Sequence, residues 1–294
     1  MLHDLAHRWP LFPVTVAMLF AAPPALAKAV LLEPSGKWQM IYDEDGCRLG
    51  RSFGEGKNLV ILFLDRYQPA SELIVSVVGK PFARRDVAHQ PIAVDFGPGL
   101  PASAAKESLV GVVGPDQTPM LMLGFRDLLN RPVIVHQTAV ITPRQESAIS
   151  QLTVRSRGQS DVTLRTGEMG APMAAMRACT TDLVQHWKLD PVQQEHRMAG
   201  PTPIHKPGEW LRSGDYPTGA LRMGVSAVID FRLMVDAAGQ TTECHIQRMT
   251  NNPEFATLTC KLLMKRAKFR PALDSEGKPI ASYYVSSVRW INGN

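Results

Sequence analysis

His89, His136 and His186 could bind a metal or carry a proton, yet no two of them stand at a metal-ligand spacing. His136 lies within an apolar run, where a histidine serves as a hydrogen-bonded structural residue. Asp43-Glu44-Asp45, just before Gly46, is acidic enough to attract calcium, but its oxygens lack the regular spacing of a calcium loop. It reads as a solvated hairpin tip. Ser71, Ser103 and Ser108 occur in no nucleophile-elbow pattern, and Gly54-Glu55-Gly56 and Gly97-Pro98-Gly99 are turn glycines without a phosphate loop. These residues give no catalytic group, no metal site and no cofactor. A periplasmic hydrolase in the N-terminal half is the least supported of the functions considered.

Cys47, Cys179, Cys244 and Cys260 have no Cys-x-x-Cys spacing, which speaks against a redox motif or a zinc knuckle. In an exported chain four cysteines make two disulfides, and three pairings exist. Two cysteines fall in each half, so Cys47–Cys179 with Cys244–Cys260 is the pairing that respects the division of the chain.

Export is suggested by residues 1–27. A polar start carrying Arg8 precedes a mostly apolar stretch, and Ala25-Leu26-Ala27 fits the small-x-small cleavage rule. Pro10, Pro13, Pro23 and Pro24 make residues 9–27 a poor spanning helix of ~20 residues. The expectation is therefore a cleaved signal and a periplasmic protein. The alternative is an inner-membrane anchor over residues 9–27, the one way this chain would engage a membrane. The net charge of +5 is spread along 294 residues. Its densest run, Lys261 to Arg270, lies on a predicted helix and the turn after it, without base-stacking aromatics, so nucleic acid is not an expected partner.

The elements divide the chain in two. Residues 28–190 read as a mainly-β domain, a sandwich or partly open barrel. Short β-prone runs at 38–42, 58–64, 73–78, 120–125, 133–141, 152–155 and 162–165 are separated by Gly, Pro, Asp and Ser turns. A helix over 171–188 follows, with Met173, Met176, Leu183 and Trp187 as its stripe. Residues 191–214 hold Pro191, Pro201, Pro203 and Pro207 and read as a stiff linker, reaching at most ~85 Å when stretched.

The last part, 215–294, starts with a helix over 218–223. In the next strand Ile229, Phe231, Leu233 and Val235 share one face, with Asp230 and Arg232 opposite. Asp236 to Gly239 supplies the turn, and Cys244 and Ile246 lie on one face of the return strand. Asn252-Pro253 opens a helix whose stripe is Phe255, Leu258 and Leu262. Residues 280–290 form a last strand. The fold class is α+β, ending in three antiparallel strands with two helices on one side.

This C-terminal part resembles the C-terminal domain of the energy transducer TonB family over about residues 207–290. The motifs are Tyr216-Pro217, Phe269-Arg270-Pro271-Ala272 and Gly277-Lys278-Pro279 at their mutual spacing, with Asp215, Ala220, Leu258 and Tyr283-Tyr284-Val285 around them. Met249-Thr250-Asn251 departs from the family's small Ser-Ser-Gly turn. The resemblance implies a binding module and not an enzyme. It would take an extended peptide of a TonB-dependent outer-membrane receptor, or of a periplasmic protein, as an added strand beside Ala281 to Arg289. Ala281, Tyr283, Tyr284, Val285, Ser287 and Arg289 would form that site, in the service of energy-dependent transport across the outer membrane. The alternative is a periplasmic scaffold or cell-wall adaptor that uses the same strand for homodimerisation. The short linker and the signal-like start set this chain apart from members that couple a proton-driven motor.

Overall fold

A computed structural model of the chain describes residues 29–70, 72–83, 92–97, 100, 103–105, 108–129, 131, 141–249 and 253–292. The expected signal segment, Ser71, His89, His136, the expected strand over 133–140 and the expected cap residue Asn252 lie outside them.

The N-terminal half runs β1 (Val30–Leu32), β2 (Gln39–Tyr42), β3 (Cys47–Phe53), β4 (Val60–Arg66), β5 (Glu72–Val78), β6 (Ile92–Asp95), β7 (Ser103–Ala105), β8 (Leu109–Val113) and β9 (Thr118–Asp127). It continues with α1 (Pro143–Ala148), β10 (Leu152–Arg155), β11 (Val162–Leu164) and α2 (Gly170–His186). One sheet of six strands has the order β2-β3-β4-β5-β9-β8, and one of five has the order β1-β11-β10-β6-β7. Leu49, Leu62, Leu64, Val75 and Leu121 of the first share a core with Val94, Val154 and Leu164 of the second. Among the described residues neither sheet closes on itself and the two share one core, in keeping with the expected sandwich or partly open barrel. Met173, Met176, Cys179 and Leu183 of α2 complete the core, and Cys47–Cys179 ties β3 to that helix across 132 residues.

β5 explains how the two halves meet. All seven of its residues are buried. Leu73, Val75 and Val77 face the sandwich core, while Ile74 lies on the opposite side, lining a cleft with Asp230 and Val285. A strand covered on both faces reads as a continuous apolar run instead of an alternating one.

The C-terminal part contains α3 (Pro191–Glu195), β12 (Thr202–Pro203), α4 (Thr218–Arg222), β13 (Ala227–Val235), β14 (Thr241–Met249) and α5 (Pro253–Arg266). After them come β15 (Phe269–Arg270), β16 (Ala272–Leu273), β17 (Pro279–Ile280) and β18 (Ser282–Trp290). The main sheet has the order β14-β13-β18, all antiparallel. Its turn after β13 fits the sequence: Asp236 Oδ1 accepts the N–H groups of Ala238 and Gln240. Gly239 adopts φ 78°, and a Cβ there would run into the Phe269 carbonyl.

Ile229, Phe231, Leu233 and Val235 form the oily face, packed with Trp210, Phe255, Leu263 and Phe269. Cys244–Cys260 staples β14 to α5, with 5.5 Å between the Cα atoms.

Asp230 and Arg232, opposite that oily face, are each 3% exposed, because the N-terminal half covers their side of the sheet. The stretch 191–214, expected as a stiff linker, is not a stretched spacer. Asp190 caps α3 by accepting from Val192 and Gln193. β12 pairs with β15, Ala199 bridges to Leu273, and Trp210 is buried in the C-terminal core. Tryptophan burial and strand pairing fold this proline-rich stretch onto the sheet.

Candidate strand-docking edge

β13 is the central strand, and its two neighbours are edges of different quality. Against β18 the register is regular over nine pairs, from Ala227↔Trp290 to Val235↔Ser282. Against β14 it shifts twice, between Asp230 and Phe231 and between Met234 and Val235. Such bulges twist an edge and interrupt its row of main-chain groups, a device that discourages further pairing. β14 is also held from outside: Gln247 Nε2 donates to the Asp45 and Tyr67 carbonyls at 3.3 and 2.9 Å.

The predicted site residues lie along β18 with different fates. The register with β13 puts Ser282, Tyr284, Ser286, Val288 and Trp290 on the helix side, and Tyr283, Val285, Ser287 and Arg289 on the side of the N-terminal half. Tyr284 is 7% exposed and packs on Phe269 and Trp210, with ring centroids 5.0 and 5.8 Å away. Tyr283 is 3% exposed; its ring meets the edge of Trp187 at 4.9 Å, and the Arg197 guanidinium lies 5.1 Å from its centroid. Burial raises the pKa of both phenols. Val285 is 9% exposed and belongs to the N-terminal core. The side chains of Tyr283, Tyr284 and Val285 are thus occupied within the protein, one face of the strand feeding each core. Ser287 and Arg289 are exposed, as is Ala281 just before the strand.

Sequence reasoning did not find what holds the beginning of this edge. Gln194, on α3, donates through Nε2 to the Ala281 carbonyl at 2.9 Å and accepts from Ser282 Oγ at 2.6 Å. Arg197 in turn donates to the Gln194 side chain at 3.2 Å. The available signal was Asp190-Pro191, a helix start placed inside what looked like linker.

The contact between halves is charged and buried. Arg232 Nη1 donates to Asp45 Oδ1 at 2.7 Å, and its guanidinium lies 4.1 Å from the Trp187 ring centroid. Desolvation lowers the Arg232 pKa, partly offset by Asp45. Within the C-terminal sheet Arg248 binds Asp230 at 2.6 Å, and within the N-terminal half the partly exposed Arg48 binds Asp65 at 2.6 Å. Burial pushes the Tyr67 phenol up and the Arg66 guanidinium down to about 10.

The acidic tip is thereby accounted for, since Asp45 is the partner of Arg232 and its carbonyl that of Gln247. His186 is exposed at the end of α2, and Ser103 lies in β7. Among the described residues no three His, Cys, Asp or Glu side chains converge as a metal site, and no helix is long and apolar enough to cross a membrane.

The family model for the Gram-negative bacterial TonB protein C-terminal matches residues 213–291. These residues are a TonB-type C-terminal domain. The TonB-type domain begins just after Trp210 and ends one residue past β18, so it contains both edges but neither α3 nor the sandwich. Its family consists of transducing and binding domains that work with outer-membrane receptors in the Gram-negative envelope, without catalysis of their own. No curated protein and no solved structure matches the chain.

Proposed function

We propose that the TonB-type domain binds an extended peptide of an outer-membrane receptor, or of a periplasmic partner, as a fourth strand beside β18. The observation that carries this is the contrast in the sheet: β18 is a nine-residue terminal strand in unbroken register, while β14 is bulged and hooked. A regular terminal strand presents N–H and C=O groups in the row that another chain needs. Affinity comes from the main chain, because the largest side chains of β18 are committed to the protein's own cores. The protein acts on the periplasmic side, as a binding component of energy-coupled transport and not as an enzyme.

The test is calorimetric titration of the full chain with synthetic N-terminal segments of TonB-dependent receptors from the same cell. Saturable 1:1 binding in the micromolar range is expected. No binding by any segment, with the protein shown folded by its near-ultraviolet dichroism, would remove this function.

A further inference from the structure

We propose that β8 pairs with β8 of a second copy, antiparallel about Gly111, joining two six-stranded sheets into one. The inference is independent of the strand-addition reading, because it uses the N-terminal half and leaves β18 untouched.

β8 ends the six-stranded sheet, and among the described residues it pairs with β9 alone. Its sequence, Leu109-Val110-Gly111-Val112-Val113, holds no charge and no proline, and its register with β9 has no bulge. The four apolar side chains are between 37% and 53% exposed. Val110 lies opposite Leu121 and Leu109 opposite Met122, so the exposed apolar surface is on both faces of the strand. Edge strands are ordinarily guarded by a charge, a proline or a bulge. This one has none of the three.

The hydrogen bonding of β9 shows which main-chain groups of β8 are turned outward. The Pro119 carbonyl accepts from the Gly79 N–H, on the side of β5. Main-chain direction alternates along a strand, so Thr118, Met120 and Met122 address β8, at Val113, Gly111 and Leu109. The N–H and C=O groups of Val110 and Val112 are then turned away from β9.

The strand is a near-palindrome about Gly111. Antiparallel pairing on a two-fold axis sets Val110 against the partner's Val112, Leu109 against the partner's Val113, and Gly111 against the partner's Gly111. Every cross-strand pair is apolar, and the two residues with outward main-chain groups meet each other and exchange both hydrogen bonds. The glycines form the pair without hydrogen bonds, where Cα atoms come within ~4.5 Å. A Cβ at Gly111 would meet nothing within 4 Å, and its φ is not positive, so the chain's own packing does not call for glycine. Glycine inside a strand is the residue that lets another backbone approach closely. The same patch serves both copies, so the association closes at two.

Sedimentation velocity of the full chain, from micromolar to near-millimolar concentration, tests this. So short a strand pair buries less than a standard interface, and a reversible dimer in the micromolar range is expected. Val112→Pro removes an outward N–H and no bond to β9. It should weaken the dimer at least tenfold, with near-ultraviolet dichroism unchanged. Val110→Lys and Val112→Glu should each weaken it, and the two combined set opposite charges across both outer pairs and should restore it. A monomer at every concentration, or a dimer that Val112→Pro leaves intact, would overturn the proposal. A combined variant that stays monomeric would overturn the register about Gly111. Receptor-peptide binding should be equal for wild type and Val112→Pro, so failure of the dimer and failure of strand addition are read separately.

Discussion

β14 and β18 are strands of nine residues on either side of β13, and they differ in what restrains them. β14 is bulged at two points, bridged by a disulfide to α5 and hydrogen-bonded through Gln247 to the sandwich. β18 is regular, anchored by its faces and, at its start, by Gln194. The difference teaches how a small sheet can offer one edge and withhold the other. Covalent and hydrogen-bonding restraints are spent on the strand that must not pair, and side-chain burial holds the strand that must stay straight.

The largest expected effect comes from weakening the anchorage of β18. Trp187→Ala removes the ring that meets Tyr283 edge-on and underlies Arg232, leaving a cavity and a poorly covered buried cation. A loss of about 4 kcal/mol in urea unfolding is expected, together with a new early transition if the halves separate first. Retention of full stability would mean that the halves are not mutually dependent.

On β14, Cys244→Ser with Cys260→Ser should cost about 3 kcal/mol in the chain-entropy account of a loop this size. Peptide binding at native conditions should survive, because the bridge restrains the other edge. If the double variant stays folded and loses binding, the comparison between the edges fails. Gln247→Ala should cost about 1–2 kcal/mol, since two carbonyls lose their donor. It should raise amide exchange in β14 without raising it in β18.

The smallest effect concerns Asp215, whose carboxylate is held by Arg266 and the Arg212 N–H and whose pKa is lowered to about 2. A carboxylate with a depressed folded pKa contributes stability above its unfolded value, near 4. That contribution is lost as pH falls from about 4 through about 2. Asp215 lies at the surface, where water screens its pair with Arg266, so the sum is below about 1 kcal/mol. Asp215→Asn should flatten the acid limb of a stability–pH curve in that window and leave the neutral region nearly unchanged.

Much of the C-terminal architecture was legible because it is local. The alternation in β13, the Asp236–Gly239 turn and the Phe255, Leu262 stripe of α5 are written in periods of two and 3.6 residues. The cysteines were legible in the same way, since two in each half narrow the pairing. The covering of the second face of β13 was not legible. Asp230 and Arg232 look like a wet face in sequence, and only Asp45, some 187 residues from Arg232, explains why they are buried. Tyr283, Tyr284 and Val285 stand out by type, but whether they meet a partner or a core depends on Trp187 and Trp210, far away in the chain. Proline content made 191–214 resemble a tether. The pairing of β12 with β15 that folds it is set by a strand after α5, which no local pattern announces.

Backbone amide exchange of the full chain, with and without a bound peptide, tests the central claim most directly, because strand addition acts through main-chain hydrogen bonds. Slowed exchange confined to β18, with β14 unchanged, is the result this account predicts. Slowing across Thr241–Met249, or no slowing in either strand while the peptide is demonstrably bound, would contradict it.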